Sequence, residues 1–143
     1  MERETRLVHA GRDPEQHHGI VNFPLYRAST ILYPTMAAYE RRHERRFTAF
    51  GYGIHGTPTT MALAGALAEL SGGARTLLLS SGLSAVTQTL AAFLRQGDRL
   101  LVADTVYGPT RVFCTEVLAR YGVEVTFYDP LVGAGIAGLI RPG

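Results

Sequence analysis

An apolar run, a turn of small residues and an alanine-rich helix follow one another in Leu77-Leu78-Leu79-Ser80-Ser81-Gly82-Leu83-Ser84-Ala85-Val86, and the pattern then repeats. Residues 76–80 read as a buried strand. Residues 83–95 read as a helix with Leu83, Val86, Leu90, Phe93 and Leu94 on one face, ended by Gly97. Arg99 to Ala103 reads as a second strand, residues 109–120 as a helix with Phe113, Val117 and Tyr121 in line before Gly122, and Val123 to Phe127 as a third strand. Strand, helix, strand, helix, strand predicts an α/β fold with a parallel sheet and right-handed crossovers. Ligands on such sheets sit beyond the carboxyl ends of the strands. Ser81-Gly82 and Asp104-Thr105-Val106-Tyr107 both fall there.

Ser81 can cap the helix that follows, and Gly82 removes a Cβ from a tight turn. The first N–H groups of that helix then converge on one spot without intrahelical partners, a geometry that suits a phosphate. The same turn also serves as a plain strand-to-helix connection. It does not spell G-x-G-x-x-G, and a Walker loop needs a lysine, so neither a nicotinamide nor a nucleoside triphosphate site is expected. Tyr107 reads equally as a core tyrosine or as a ring that stacks on a flat heterocycle held by the turn.

Before this alternation the chain is less regular. Residues 1–34, with Pro14, Pro24 and Pro34 and glycines at 11 and 19, read as an irregular arm that lies across another surface. Thr35 can cap a helix from about Met36 to Arg46. A glycine-rich loop spans 47–57. Thr57 followed by Pro58 opens a helix that stops at Gly72-Gly73. After Asp129 only a short segment at Ile136 to Ile140 remains, and no fourth strand is expected.

Composition narrows the function classes. At 143 residues, 46% hydrophobic and 18% charged, the chain has the make-up of one globular domain. A net charge of +2 argues for no nucleic-acid partner, and the run Arg41-Arg42-His43-Glu44-Arg45-Arg46 reads as a solvated face. One cysteine, Cys114, cannot form an internal disulfide and reads as a buried thiol. The charged start lacks the apolar core of a signal peptide, and no run approaches membrane-spanning length. The expected location is the cytoplasm. His9, His17, His18, His43 and His55 show no metal-ligand spacing, so no metal is expected. All fourteen basic residues are arginines; the sequence has no lysine.

Five motifs in register resemble the Cys/Met-metabolism family of pyridoxal-phosphate enzymes, the fold-type I transsulfuration group. They are Thr5-x-x-Val8-His9-x-Gly11, Asn22-Phe23-Pro24-Leu25-Tyr26-x-x-Ser29-Thr30, Tyr52-Gly53-x-x-Gly56-Thr57-x-Thr59, Ser81-Gly82-Leu83-Ser84-Ala85 and Tyr107-Gly108-Pro109-Thr110. Gly56-Thr57 and Tyr128-Asp129-Pro130-Leu131-Val132-Gly133 resemble the cystathionine β-lyase branch most.

The resemblance implies the front portion of the family's large domain. Residues 1–57 would supply an arm, a helix and an inter-subunit loop, and 58–143 part of the pyridoxal-phosphate-binding α/β domain. It implies β-elimination from a sulfur amino acid, cystathionine giving homocysteine, pyruvate and ammonia, in a homo-oligomer. By resemblance Gly82 and Leu83 bind the cofactor phosphate, and Tyr107 stacks on its ring. Tyr52 reaches the phosphate from a neighbouring subunit, and Tyr107 and Tyr52 would carry the catalytic roles. The family usually has an arginine two residues after the loop tyrosine. Ile54 stands there, leaving His55 as the substitute. The family's Schiff-base lysine and the aspartate that pairs with the pyridine nitrogen come later than this chain extends. The expectation is therefore a piece of a longer enzyme, inactive by itself. The alternatives are a non-catalytic phosphate-binding or docking module, and a γ-acting transsulfuration enzyme.

Overall fold

A computed structural model describes residues 2–45 and 49–141. The expected helix end at Arg46, the start of the loop at 47–48, and Pro142-Gly143 lie outside the described residues. The chain forms two compact units, Met1–Leu78 and Leu79–Gly143.

In the first unit, helix α1 (Arg3–His9) and a 3₁₀ turn (Pro14–His17) occupy the arm that the sequence reads as irregular. No apolar stripe announces α1, so periodicity misses it. Glu4 in its first turn and Arg6 and His9 in its last complement the helix dipole. The helix is also held from outside, because Arg6 donates to the Glu69 carboxylate and carbonyl, both at 3.4 Å. Helix α2 (Met36–Glu40) is capped as expected, the Thr35 hydroxyl accepting from Ala38 N–H, and tightens to 3₁₀ over Arg41–Arg45.

Helix α3 (Pro58–Ser71) has the bounds that its signals predict. Thr57 and Thr60 form a reciprocal capping box, Pro58 opens the first turn, and Gly72 closes the helix in the left-handed conformation. Thr59 then ties the arm down: its hydroxyl donates to the Pro24 carbonyl at 2.8 Å and accepts from Tyr26 N–H at 2.7 Å.

The second unit contains helix α4 (Gly82–Phe93), strand β1 (Arg99–Ala103), helix α5 (Gly108–Val112) and strand β2 (Glu124–Tyr128). The strands pair in parallel from Arg99↔Glu124 to Ala103↔Tyr128, so the fold is α/β with a small parallel sheet. After α5 the helix widens to a π turn at Phe113–Val117 and tightens to 3₁₀ at Leu118–Tyr121. Cys114, Leu118 and Val123 form the buried centre. Leu90 from α4 and Leu94 just after its end pack on it, as do Leu100, Val102, Val125 and Phe127 from the sheet.

The fold departs from the sequence expectations at three places. Residues 76–80 pair with no strand among the described residues, and Leu77 is 81% exposed. An apolar run states that a strand needs cover, not which neighbour supplies its hydrogen bonds. Phe93, placed on the core face of α4, is also 81% exposed, because Leu90 and Leu94 take that face. Tyr121, expected in line with Phe113 and Val117, points to solvent. The π turn rotates the register, so the buried line is Thr110, Cys114 and Leu118.

Cys114 is fully buried, as its apolar neighbours suggest. Burial pushes its thiol pKa above the ordinary value by disfavouring the thiolate. A folded-state pKa raised above the unfolded one gives stability that is complete below the unfolded value, about 8.5, and fades as pH climbs through the folded value. The thiol should therefore resist iodoacetamide at pH 8 until the chain unfolds. Alkylation of the native chain at the rate of a free thiol would contradict this packing.

Candidate functional site

Sequence signals at the start of α4 produce the geometry expected of them. Ser81 is extended, its hydroxyl accepts from Ser84 N–H at 3.1 Å, and its carbonyl accepts from Ala85 N–H at 3.0 Å. That leaves the N–H groups of Gly82 and Leu83 without a partner among the described residues, at the positive end of a 12-residue helix. The reason for the glycine differs from the one read off the sequence. Gly82 has no left-handed backbone, and a Cβ built on it meets nothing within 4 Å. The turn itself therefore accepts alanine. The open space lies ahead of the helix, on the side toward which a first-turn Cβ leans.

This gives a two-part expectation for Gly82→Ala. Folding stability should hold or rise by up to about 1 kcal/mol, since glycine is the poorer helix former. If the two free amides hold an anion, affinity for inorganic phosphate should fall, because the methyl group would enter the space ahead of them. Denaturation and phosphate titration read the two parts separately. Equal phosphate affinity in both proteins would place the anion elsewhere.

Tyr107 lies in the turn between β1 and α5, immediately before α5, and is 67% exposed. Helix α5 packs against α4. The turn is short and closed. Asp104 N–H continues the sheet ladder to the Tyr128 carbonyl at 2.8 Å, and Val106 N–H bonds the Ala103 carbonyl at 3.0 Å. Arg111, unmarked in the sequence, reaches back over it. Its Nη2 donates to the Asp104 carbonyl at 2.7 Å and to the Asp104 carboxylate, while its guanidinium lies 3.9 Å from the Phe127 ring centroid. The Arg111 and Asp104 side chains are 37% and 61% exposed, so the ion pair contributes only about 0–1 kcal/mol to stability.

A hollow of about 520 Å³ opens at the carboxyl ends of β1 and β2, lined by Asp104, Thr105, Phe127, Tyr128, Asp129, Pro130 and Leu131. None of Gly82, Leu83 and Tyr107 lines it. In the first unit, Tyr52 and His55 come together, ring centroids 5.9 Å apart and nearly perpendicular. Tyr52 pairs with Thr30 in an isolated antiparallel bridge, and Gly53 N–H bonds the Ser29 carbonyl at 2.7 Å. Ile54, where the family's arginine was expected, is 79% exposed. Among the described residues no group of three or more His, Cys, Asp or Glu is placed to hold a metal ion, and no helix is long and apolar enough to cross a membrane.

The sequence profile of the family described as Cys/Met metabolism PLP-dependent enzyme matches residues 4–143. The chain belongs to this family. A Rhizobium johnstonii relative is 50% identical over 137 residues, 96% of this chain and 34% of its own length. The cystathionine beta-lyase of Salmonella typhimurium is 40% identical over 142 residues, 97% of this chain and 35% of its own length. Among solved structures, the cystathionine gamma-lyase from Lactobacillus plantarum, complexed with L-serine, superposes with a TM-score of 0.82 at 28% identity, over 99% of this chain and 35% of that one. The chain thus spans about a third of the length of these relatives. The start of α4 fits the phosphate of the family's cofactor. It offers two N–H donors without a partner among the described residues, open space ahead of them and no acidic side chain in its first turn.

Proposed function

We propose that this chain is the front part of a pyridoxal-phosphate-dependent carbon–sulfur lyase of the cystathionine β-lyase type, acting in the cytoplasm on a sulfur amino acid as part of a homo-oligomer. One observation carries the reading: the partnerless Gly82 and Leu83 amides at the head of α4, in a member of this family. When bound, the cofactor supplies an electron sink for the electrons released at the substrate's Cα. The roles of this chain's own residues are binding and orientation. Gly82 and Leu83 N–H groups hold the phosphate, with the helix dipole adding about 0.3–1 kcal/mol. Tyr107 stacks on the ring. Tyr52 reaches the phosphate from a neighbouring subunit and donates its hydroxyl to it, and His55 takes the place of the family's arginine.

Gly56-Thr57 and the Tyr128–Gly133 segment favour the β-lyase branch. Likeness to the γ-lyase structure keeps a γ-acting enzyme as the second reading. A non-catalytic phosphate-binding module shares the α4 site and lacks the ring contact.

Titration with pyridoxal phosphate, followed by equilibrium dialysis, tests the reading. Tyr107→Ala should weaken binding several-fold, in line with about 0.5–1.5 kcal/mol for an aromatic stack. Inorganic phosphate should bind both proteins equally. Equal affinity of both proteins for pyridoxal phosphate would remove Tyr107 from the site and favour the bare phosphate module.

A further inference from the structure

We propose that Arg111 is a positioning residue that clamps the Asp104–Tyr107 turn shut and so fixes how Tyr107 is presented to a flat ring; this rests on the reading of Tyr107 given above. The arginine closes the turn from both ends. Its backbone N–H donates to the Tyr107 carbonyl at 3.1 Å, while its guanidinium binds the Asp104 carbonyl and carboxylate. The third anchor, the Phe127 ring, belongs to β2, so the turn is referred to the sheet rather than to its own helix alone. The backbone ties Val106 N–H to the Ala103 carbonyl at 3.0 Å and, at the far end of the turn, Thr110 N–H to the Tyr107 carbonyl at 2.9 Å. No backbone hydrogen bond among the described residues holds Thr105, so the side-chain clamp supplies the remaining restraint on the turn. Both donations come from Nη2, so one terminal nitrogen spans two oxygens of one residue while the flat face of the same group rests on a ring, an arrangement a planar guanidinium fixes more rigidly than a compact ammonium does.

The exposure of the pair separates this role from a structural one. A solvent-facing ion pair adds little to global stability, but it can still select one arrangement of a four-residue turn. Two variants and three readouts test it. Arg111→Met keeps an unbranched apolar stem against Phe127 and the backbone bond to Tyr107 but removes every side-chain donor, and Arg111→Lys keeps the charge without the planar group. The readouts are affinity for pyridoxal phosphate, affinity for inorganic phosphate, and amide exchange of Val106 with no ligand present.

Arg111→Met should bind pyridoxal phosphate about tenfold more weakly, the loss expected for about one charge-assisted hydrogen bond. It should bind inorganic phosphate as wild type does and exchange the Val106 amide faster, with Arg111→Lys between the two. Unchanged pyridoxal-phosphate affinity, unchanged Val106 exchange, or an equal loss for both ligands overturns the proposal. Should Arg111→Met fail to fold, Arg111→Lys and Asp104→Ala carry the same comparisons. If wild type binds pyridoxal phosphate no better than phosphate, the ring reading above has failed, and Val106 exchange alone then decides whether the clamp exists.

Discussion

Incubated with pyridoxal phosphate and cystathionine, the 143-residue chain should release no pyruvate beyond the rate of the free cofactor. Enzymes commonly accelerate such reactions by about 10⁶-fold or more, so the expected shortfall is very large. Its cause is compositional. The chain has no lysine, so no side-chain amine can bond the cofactor's aldehyde or carry the Cα proton. Arginine cannot substitute, because its guanidinium keeps its proton at any working pH. After borohydride reduction, any pyridoxyl mass should map to the N-terminal amine and to no side chain. Pyruvate release well above the free-cofactor rate would show that another group of this chain does the lysine's work.

Gly53→Ala should be the most damaging glycine-to-alanine substitution among the described residues of the first unit. A Cβ at Gly53 would overlap the Ala28 carbonyl oxygen and lie 2.5 Å from its carbonyl carbon and 3.0 Å from the Ser29 Cα. All three neighbours are backbone, so relief requires moving one strand of chain away from the other. Overpacking of this kind costs about 1–3 kcal/mol, and rigid neighbours put it at the upper end. The movement also breaks the Gly53–Ser29 hydrogen bond and the Thr30–Tyr52 bridge, which present Tyr52. Gly65→Ala is the control. Gly65 lies inside α3 with nothing within 4 Å of its Cβ position, so the same substitution there should stabilise by about 0.5–1 kcal/mol. Denaturant melts of the two variants should thus move in opposite directions. A Gly53→Ala melt at or above the wild-type midpoint would mean that the arm and loop do not meet as described.

How much of this was legible in the sequence depended on whether a residue's role is set locally. Thr57, Pro58 and Gly72 bound α3, and Ser81 caps α4, because capping is decided within a few residues. Strand β1 runs from Arg99 to Ala103 as its apolar run indicates, and Cys114 is buried as its neighbours suggest. Roles set by distant partners were not legible. Helix α1 leans on Glu69, sixty-three residues away from Arg6. Residues 76–80 have strand composition without a pairing neighbour among the described residues, and the π turn at Phe113–Val117 shifts the buried face by an amount that a 3.6-residue period does not foresee. Arg111 carried no signal of its own. Only the return of the chain through β2 puts Phe127 beneath it.

On this reading one ligand spans the head of α4 and the ring of Tyr107. The most direct measurement is a ¹H–¹⁵N correlation spectrum recorded during titration with pyridoxal phosphate, with the tyrosine ring protons followed in parallel. The Gly82 and Leu83 amides and the Tyr107 ring protons should shift together, along one binding isotherm. Saturation of the ligand with the Gly82 and Leu83 amides unmoved, or with the Tyr107 ring moving on a different isotherm, would contradict this reading.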